Sequence, residues 1–287
     1  MFIGLLHARV HTASYVIMLD FENKIIVVTG AAGGIGQAVA LELAAAGAII
    51  VMADIQTEPQ EVVVSQIKAN GGQAFSYHCD VSNDDSVSKF TASVLDSIGV
   101  PDVLYNNAVF FRTGGILNID LDILRREFDV NVLGYIRIAQ NFLPAMIDRG
   151  SGWIANTASP NAFVPPQPVA EGMLGYCITK GAEAALTQCM AKSLKSNGVG
   201  VSLVIPDVTY TESALNISGN ASDEWHENFK RFFTKISRPA GDVAKLLVQG
   251  LREEKYLVSA HPGFDNVLRE WVQNDLDPHQ DYLRRQN

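Results

Sequence analysis

Cysteine is scarce in this chain. Cys79, Cys177 and Cys189 are the three in 287 residues, an odd number with no C-x-x-C spacing. That excludes a disulfide scaffold and a cysteine-based zinc site, and it fits a reducing compartment, with the cytoplasm as the expected location. Positive charge is also in short supply, since 22 lysines and arginines face 31 aspartates and glutamates and leave a net charge of −9. Without a basic run, neither a nucleic-acid backbone nor an anionic membrane surface is an expected partner. Long apolar runs are missing from the start of the chain, where Phe2 to Leu6 and Tyr15 to Leu19 are divided by His7, Arg9 and His11. Neither piece could span a bilayer or serve as a secretory signal. Residues 1–17 therefore read as an N-terminal extension without function, ahead of a folded domain over residues 18–260.

Nothing in the remainder resembles a linker or an internal repeat. At 47% hydrophobic and 18% charged, the chain can bury one sizeable core. Lys24 to Thr29 is a β-branched run without polar alternation, as a central parallel strand covered on both faces requires. A helix from Ile35 to Ala46 and a second apolar strand, Ala48 to Ala53, follow. Helix and strand then alternate through Pro59–Ala69, Ala74–Cys79, Asp84–Ser97 and Asp102–Tyr105. The second half continues with a long helix at Leu121–Arg149, a strand at Trp153–Thr157, a helix from Tyr176 to Ser196 and a strand at Gly200–Ile205. This rhythm predicts right-handed βαβ crossovers and one doubly wound parallel sheet, with ligands at the carboxyl ends of its strands. Residues 208–238, with Trp225, Phe229, Phe232 and Phe233, read as a substrate lid. A helix at Asp242–Leu251, a last strand at Tyr256–Ser259 and a polar tail over residues 261–287 complete the pattern.

Two constellations carry chemistry. Thr29-Gly30-Ala31-Ala32-Gly33-Gly34-Ile35-Gly36 lies between a predicted strand and a predicted helix. Glycines there permit a tight turn and let backbone N–H groups approach a pyrophosphate at the positive end of the helix. Asp54 closes the second strand, where a carboxylate accepts hydrogen bonds from an adenosine ribose and repels a 2′-phosphate, so NAD is expected over NADP. The second constellation is Tyr176-Cys177-Ile178-Thr179-Lys180, a phenol and an ammonium one helical turn apart. Of the eight tyrosines, Tyr176 alone has a lysine four residues on. A cation so placed is expected to lower the phenol's pKa and make it an acid/base group.

With these residues in this order, the chain resembles the short-chain dehydrogenase/reductase family over roughly Leu19 to Ser259. Thr29–Gly36 matches the family's glycine turn, Asp80-Val81 its adenine-contacting pair, and Asn106-Asn107-Ala108 the start of its N-N-A-G segment. Asn131, Ser159, Tyr176 and Lys180 match its catalytic tetrad. The resemblance implies a Rossmann-type sheet of about seven strands in the order 3-2-1-4-5-6-7. It implies hydride transfer between a nicotinamide and a carbonyl or alcohol carbon, with Tyr176 as general acid/base and Lys180 lowering its pKa and bonding the nicotinamide ribose. Ser159 would orient the substrate oxygen and Asn131 would hold a water behind Lys180. Gly30, Gly34, Ile35, Gly36, Asp54, Asp80, Val81, Asn107 and Thr211 join Tyr176 and Lys180 as the implied NAD site, with no metal. A homodimer or homotetramer formed through the Leu121–Arg149 and Tyr176–Ser196 helices is implied as well.

The chain departs from the family pattern at three places. Val109 stands where the family closes N-N-A-G with glycine, and Asp207 replaces the glycine of a Pro-Gly pair, where an acid could stabilise an oxidised nicotinamide. Ser159 and Tyr176 are 17 residues apart, with Pro165, Pro166 and Pro168 stiffening an enlarged loop between them. Phe110, Phe111, Phe163 and the 225–233 aromatics point to an apolar or cyclic substrate. Two rival functions stay open: a dinucleotide-binding sensor or scaffold without turnover, and a non-redox lyase or isomerase on the same fold.

Overall fold

The computed structural model describes residues 19–283, so the expected extension at residues 1–17 lies outside the described residues. Seven strands form one parallel sheet: β1 Ile25–Thr29, β2 Ile49–Asp54, β3 Gln73–His78, β4 Val103–Asn106, β5 Gly152–Thr157, β6 Val199–Ile205 and β7 Leu257–Ser259. Their order is β3-β2-β1-β4-β5-β6-β7, as expected. The connecting helices are α1 Gly34–Ala45, α2 Thr57–Ala69, α3 Asp84–Ser97, α4 Leu121–Phe128, α5 Gly134–Arg149, α6 Gln167–Gly172, α7 Leu174–Leu194, α8 Glu212–Leu215, α9 Asp223–Ile236, α10 Ala240–Arg252 and α11 Phe264–Gln273. Both sheet faces are buried, which is why β1, β4 and β6 are almost wholly apolar instead of alternating. On one face Val39, Leu43, Leu247 and Leu251 from α1 and α10 pack on Ile26, Val28 and Ile50. On the other, Phe90, Ile138, Phe142 and Met190 cover Val27, Val51 and Leu104.

The strand order reverses between β1 and β4, and the crevice at that switch point opens at the strands' carboxyl ends. Two details differ from the sequence expectation. The long helix predicted over Leu121–Arg149 is two helices joined by a π-helical turn, Asp129–Leu133, a widened turn that often marks functional sites. The region beyond the last strand is not merely polar tail: α11 forms there, and Phe264 is fully buried against Ala158, Ala184, Leu203 and Ile205. The stretch between Ser159 and Tyr176 is also ordered, into a 3-10 turn at Pro160–Ala162 and the short helix α6.

Candidate active site

The glycine turn is built around close backbone approaches. Gly30 has φ +65° and Gly34 φ +55°, conformations that disfavour side chains. A Cβ on Gly36 would lie 2.2 Å from the Gly30 carbonyl oxygen and 2.6 Å from Asn107 Nδ2. Asn107, at the end of β4, secures the turn by donating from Nδ2 to the Thr29 and Gly30 carbonyls at 3.2 Å each. Thr29 Oγ1 in turn accepts from Asn107 N and Ala108 N. Helix α1 begins at Gly34 with no side-chain cap and no acidic residue in its first turn, whereas α3, α4 and α9 carry Asn83, Asp120 and Ser222 as caps. Open space adjoins Gly33. An uncapped helix end beside a glycine cradle fits the pyrophosphate of a dinucleotide. Ile35 packs inward from the first turn of α1 onto the core, which fixes the helix below the cradle.

Asp54 accepts from Ala32 N through Oδ2 and from Gln56 N through Oδ1, both at 3.0 Å, so it ties the end of β2 to the glycine turn. Asp80 is held in its own turn by Ser82 N and Oγ, and Val81 is buried against Gly134. Thr211 packs its methyl 3.0 Å from the position of a Gly34 Cβ and accepts from Ala214 N, bringing the first residues of the lid over the turn. Val109 is 43% exposed and lies at the crevice mouth.

Tyr176, on the first turn of α7, comes near Ser159 despite the long intervening loop, close enough for the serine side chain to oppose the rise of the phenol's pKa. Lys180 Nζ lies 5.7 Å from the Tyr176 ring centroid. Asn131 sits in the π turn, completely buried, and its amide is fully engaged: Oδ1 accepts from Phe110 N at 2.8 Å, while Nδ2 donates to Phe110 O at 2.9 Å and to Thr179 Oγ1 at 3.1 Å.

The expected lowering of the Tyr176 pKa by Lys180 is not what the structure shows. Burial raises the phenol above its ordinary value, the nearby Ser159 side chain opposes this, and the Glu183 carboxylate pushes it further up. The reason is that Lys180 is committed elsewhere: Nζ donates to Glu183 Oε2 at 2.8 Å, to Glu183 Oε1 at 3.1 Å and to Thr157 O at 2.8 Å. Glu183 and Thr157 were missed at the sequence level. Glu183 had a signal, since it stands three residues after Lys180 and so faces the same side of the helix. The proposed influence of Asp207 on the nicotinamide is likewise revised: its buried carboxylate accepts from Val208 N at 2.8 Å and pairs with Arg238 Nη1 at 3.4 Å, so its charge is compensated and anchors the lid.

The wall facing Tyr176 is apolar. Phe111 packs on Tyr176 with centroids 5.4 Å apart. Trp225, Phe229 and Phe233 stack along one face of α9, at 4.8 and 5.7 Å, and join Val169 and Met173 beside Tyr176 and Cys177. Trp225 Nε1 donates to Pro168 O, which fixes α9 on α6. The strap after β4 holds this arrangement, since Thr113 N donates to Ser218 O of the lid, Thr113 O accepts from Asn220 N, Gly114 N donates to Gly172 O and Gly114 O accepts from Leu174 N. Phe110 and Phe163 do not belong to the wall. Phe110 lies between the guanidinium groups of Arg112 and Arg126, and Phe163 packs on Phe264.

A parallel sheet in this order, with a glycine cradle at the switch point and a serine beside a tyrosine at the same end of the sheet, is the architecture of a nicotinamide-dependent oxidoreductase. The chain belongs to the short chain dehydrogenase family, whose model matches residues 24–221. It is 35% identical over 221 residues to uncharacterized oxidoreductase YxbG of Bacillus subtilis, covering 76% of this chain and 79% of that protein. It is 33% identical over 209 residues to meso-2,3-butanediol dehydrogenase of Serratia marcescens, covering 73% and 80%. Among solved structures, a short chain dehydrogenase/reductase from Burkholderia phymatum in complex with NAD superimposes with a TM-score of 0.81 at 26% identity, over 92% of this chain and 99% of that one. A metagenomic short-chain oxidoreductase in complex with NADP gives a TM-score of 0.64 at 29% identity, over 84% and 97%. No helix among the described residues is long and apolar enough to cross a membrane.

Proposed function

We propose that this chain is an NAD-dependent oxidoreductase that interconverts a secondary alcohol and a ketone, with Tyr176 as the general acid/base. The observation that carries the proposal is the convergence of Ser159, which follows β5, with Tyr176 and Lys180 of α7 at the carboxyl end of the sheet, Lys180 Nζ lying 5.7 Å from the Tyr176 ring. A dinucleotide held at the glycine cradle would supply the hydride-transfer chemistry. Tyr176 Oη takes the proton from the alcohol oxygen or returns it to the carbonyl oxygen, and Ser159 Oγ holds that oxygen in line. Lys180 lies one turn beyond the phenol on α7, with its ammonium held by Glu183 and Thr157 O. Gly30, Gly34, Ile35 and Gly36 form the pyrophosphate cradle, Asp54 selects NAD, and Asp80, Val81, Asn107 and Thr211 complete the cofactor's walls. The Phe111, Trp225, Phe229 and Phe233 surface excludes water and favours an apolar or cyclic substrate.

The chain acts in the cytoplasm as a homodimer or homotetramer in this reading. Half-exposed Leu133 and Ile178 beside the crevice helices provide apolar surface for a second copy. The test pairs binding with turnover. Wild type is expected to bind NAD at least tenfold tighter than NADP, with the preference narrowing in Asp54→Ala, and to form NADH from apolar secondary alcohols. Tight NAD binding with no turnover in either direction would favour the sensor or non-redox reading.

A further inference from the structure

Lys180 and Glu183 form an ion pair inside the protein rather than on its surface, with side-chain exposures of 3% and 0%. An ammonium has three protons to donate, and here they face both Glu183 oxygens and the Thr157 carbonyl. The carboxylate has been taken wholly out of water, and Lys180 is the hydrogen-bond partner of both its oxygens. Such a pair is weakly justified by stability alone, since two apolar residues of the same volume would often serve as well. Its position is informative. It lies one turn beyond Tyr176 on the same helix, at the end of β5, where buried Tyr135 of α5 donates to the same Thr157 carbonyl as Lys180.

We propose that Glu183 is a positioning residue of the proton-transfer site: it holds Lys180 under Tyr176 and offsets the lysine's charge, so that the phenol rests in its protonated form and is set to donate. The inference rests on the reading of Tyr176 as the proton-transfer group. The titratable groups that face the cluster are Lys180, Glu183, Tyr176 and Cys177 on α7, Tyr135 on α5 and Tyr105 on β4. Glu183 acts on both Tyr135 and Tyr176 and raises both phenols, which is the direction an offset lysine requires. Ketone reduction at neutral pH is favoured by a protonated Tyr176, whereas alcohol oxidation requires the phenolate and is held back until alkaline pH.

The test uses the ultraviolet difference between each full-length protein and its Tyr176→Phe counterpart, which isolates the Tyr176 phenolate and needs no substrate. In Glu183→Gln an acceptor remains but the negative charge is gone. The Tyr176 phenolate is expected to appear about one pH unit or more earlier than in wild type. The same shift is expected in the alkaline limb of kcat/KM for alcohol oxidation. Lys180→Met/Glu183→Leu removes both charges, so its phenolate should appear within about half a unit of wild type. An unchanged phenolate titration in folded Glu183→Gln would overturn the proposal. So would a double variant whose phenolate appears more than a unit later than wild type, because Lys180 would then act without being offset. If the phenolate shifts as expected while wild type turns over no alcohol or ketone, the charge arrangement stands and the oxidoreductase reading fails.

Discussion

Removing Lys180 while leaving Glu183 in place tests the buried pair by the energy it leaves uncompensated. In Lys180→Met a carboxylate with no solvent exposure loses the donor to both its oxygens. Breaking such a pair costs about 3–5 kcal/mol. The penalty has a ceiling, because the orphaned carboxylate can take up a proton. From an ordinary glutamate pKa near 4.3, protonation costs about 1.36 kcal/mol for each pH unit above that value. Counted against the unfolded chain the ceiling is therefore about 5 kcal/mol at about pH 8 and about 1.6 kcal/mol at about pH 5.5, and wild type, whose Glu183 is also raised, already carries part of it. Burial raises the folded pKa of Glu183, so the folded protein binds this proton more tightly than the unfolded chain. The stability that the raised value contributes is complete below the unfolded pKa and is lost as pH rises through the folded one. Urea unfolding of wild type, Lys180→Met and Lys180→Met/Glu183→Leu at one protein concentration reads this directly. Wild-type Glu183 is itself pushed up to about 7, so the deficit of the single variant should change little between about pH 5.5 and about pH 7 and should widen from there to about pH 8, and the double variant should recover most of the loss. A single variant as stable as wild type at about pH 8, or a deficit that does not widen above about pH 7, would refute the reasoning.

Gly36→Ala should cost about 1–3 kcal/mol in urea unfolding and abolish dinucleotide binding, because its Cβ meets the backbone of Gly30. Gly33→Ala, which adds its Cβ to open space, should stay within about 0.5 kcal/mol of wild-type stability while weakening dinucleotide binding, read by fluorescence titration. Trp225→Ala should raise KM for apolar substrates by about tenfold through loss of the aromatic wall, whereas Phe110→Ala, whose ring lies between two arginines, should leave KM unchanged. Equal effects of the last two would remove α9 from the substrate site.

Local pattern made the fold legible because each strand is a short apolar run whose neighbours in sequence are helices, and right-handed crossovers allow few sheet orders. The glycine turn was legible for the same reason, since Gly30, Gly34 and Gly36 are demanded by backbone geometry that the motif itself spells out. Charge balance was not. The Tyr176–Lys180 spacing implied a lowered phenol pKa, but burial and the partner on the next turn, Glu183, reverse the sign. The π turn at Asn131 escaped because helix propensity continues smoothly from Leu121 to Arg149, and the widened turn is fixed by the Asn131 contacts with Phe110 and Thr179. Likewise Phe110 and Phe111 are adjacent and identical in type, yet one stacks between arginines and the other lines the site. The direction of each ring is set by tertiary packing.

The central claim is that the Tyr176 oxygen moves the proton accompanying hydride transfer. It is tested most directly by following NADH absorbance with NAD and a panel of secondary alcohols in wild type and Tyr176→Phe, after confirming that both bind NAD equally. The account predicts NADH formation by wild type and a fall of at least about a hundredfold in kcat for the variant. Equal rates in the two proteins would contradict it.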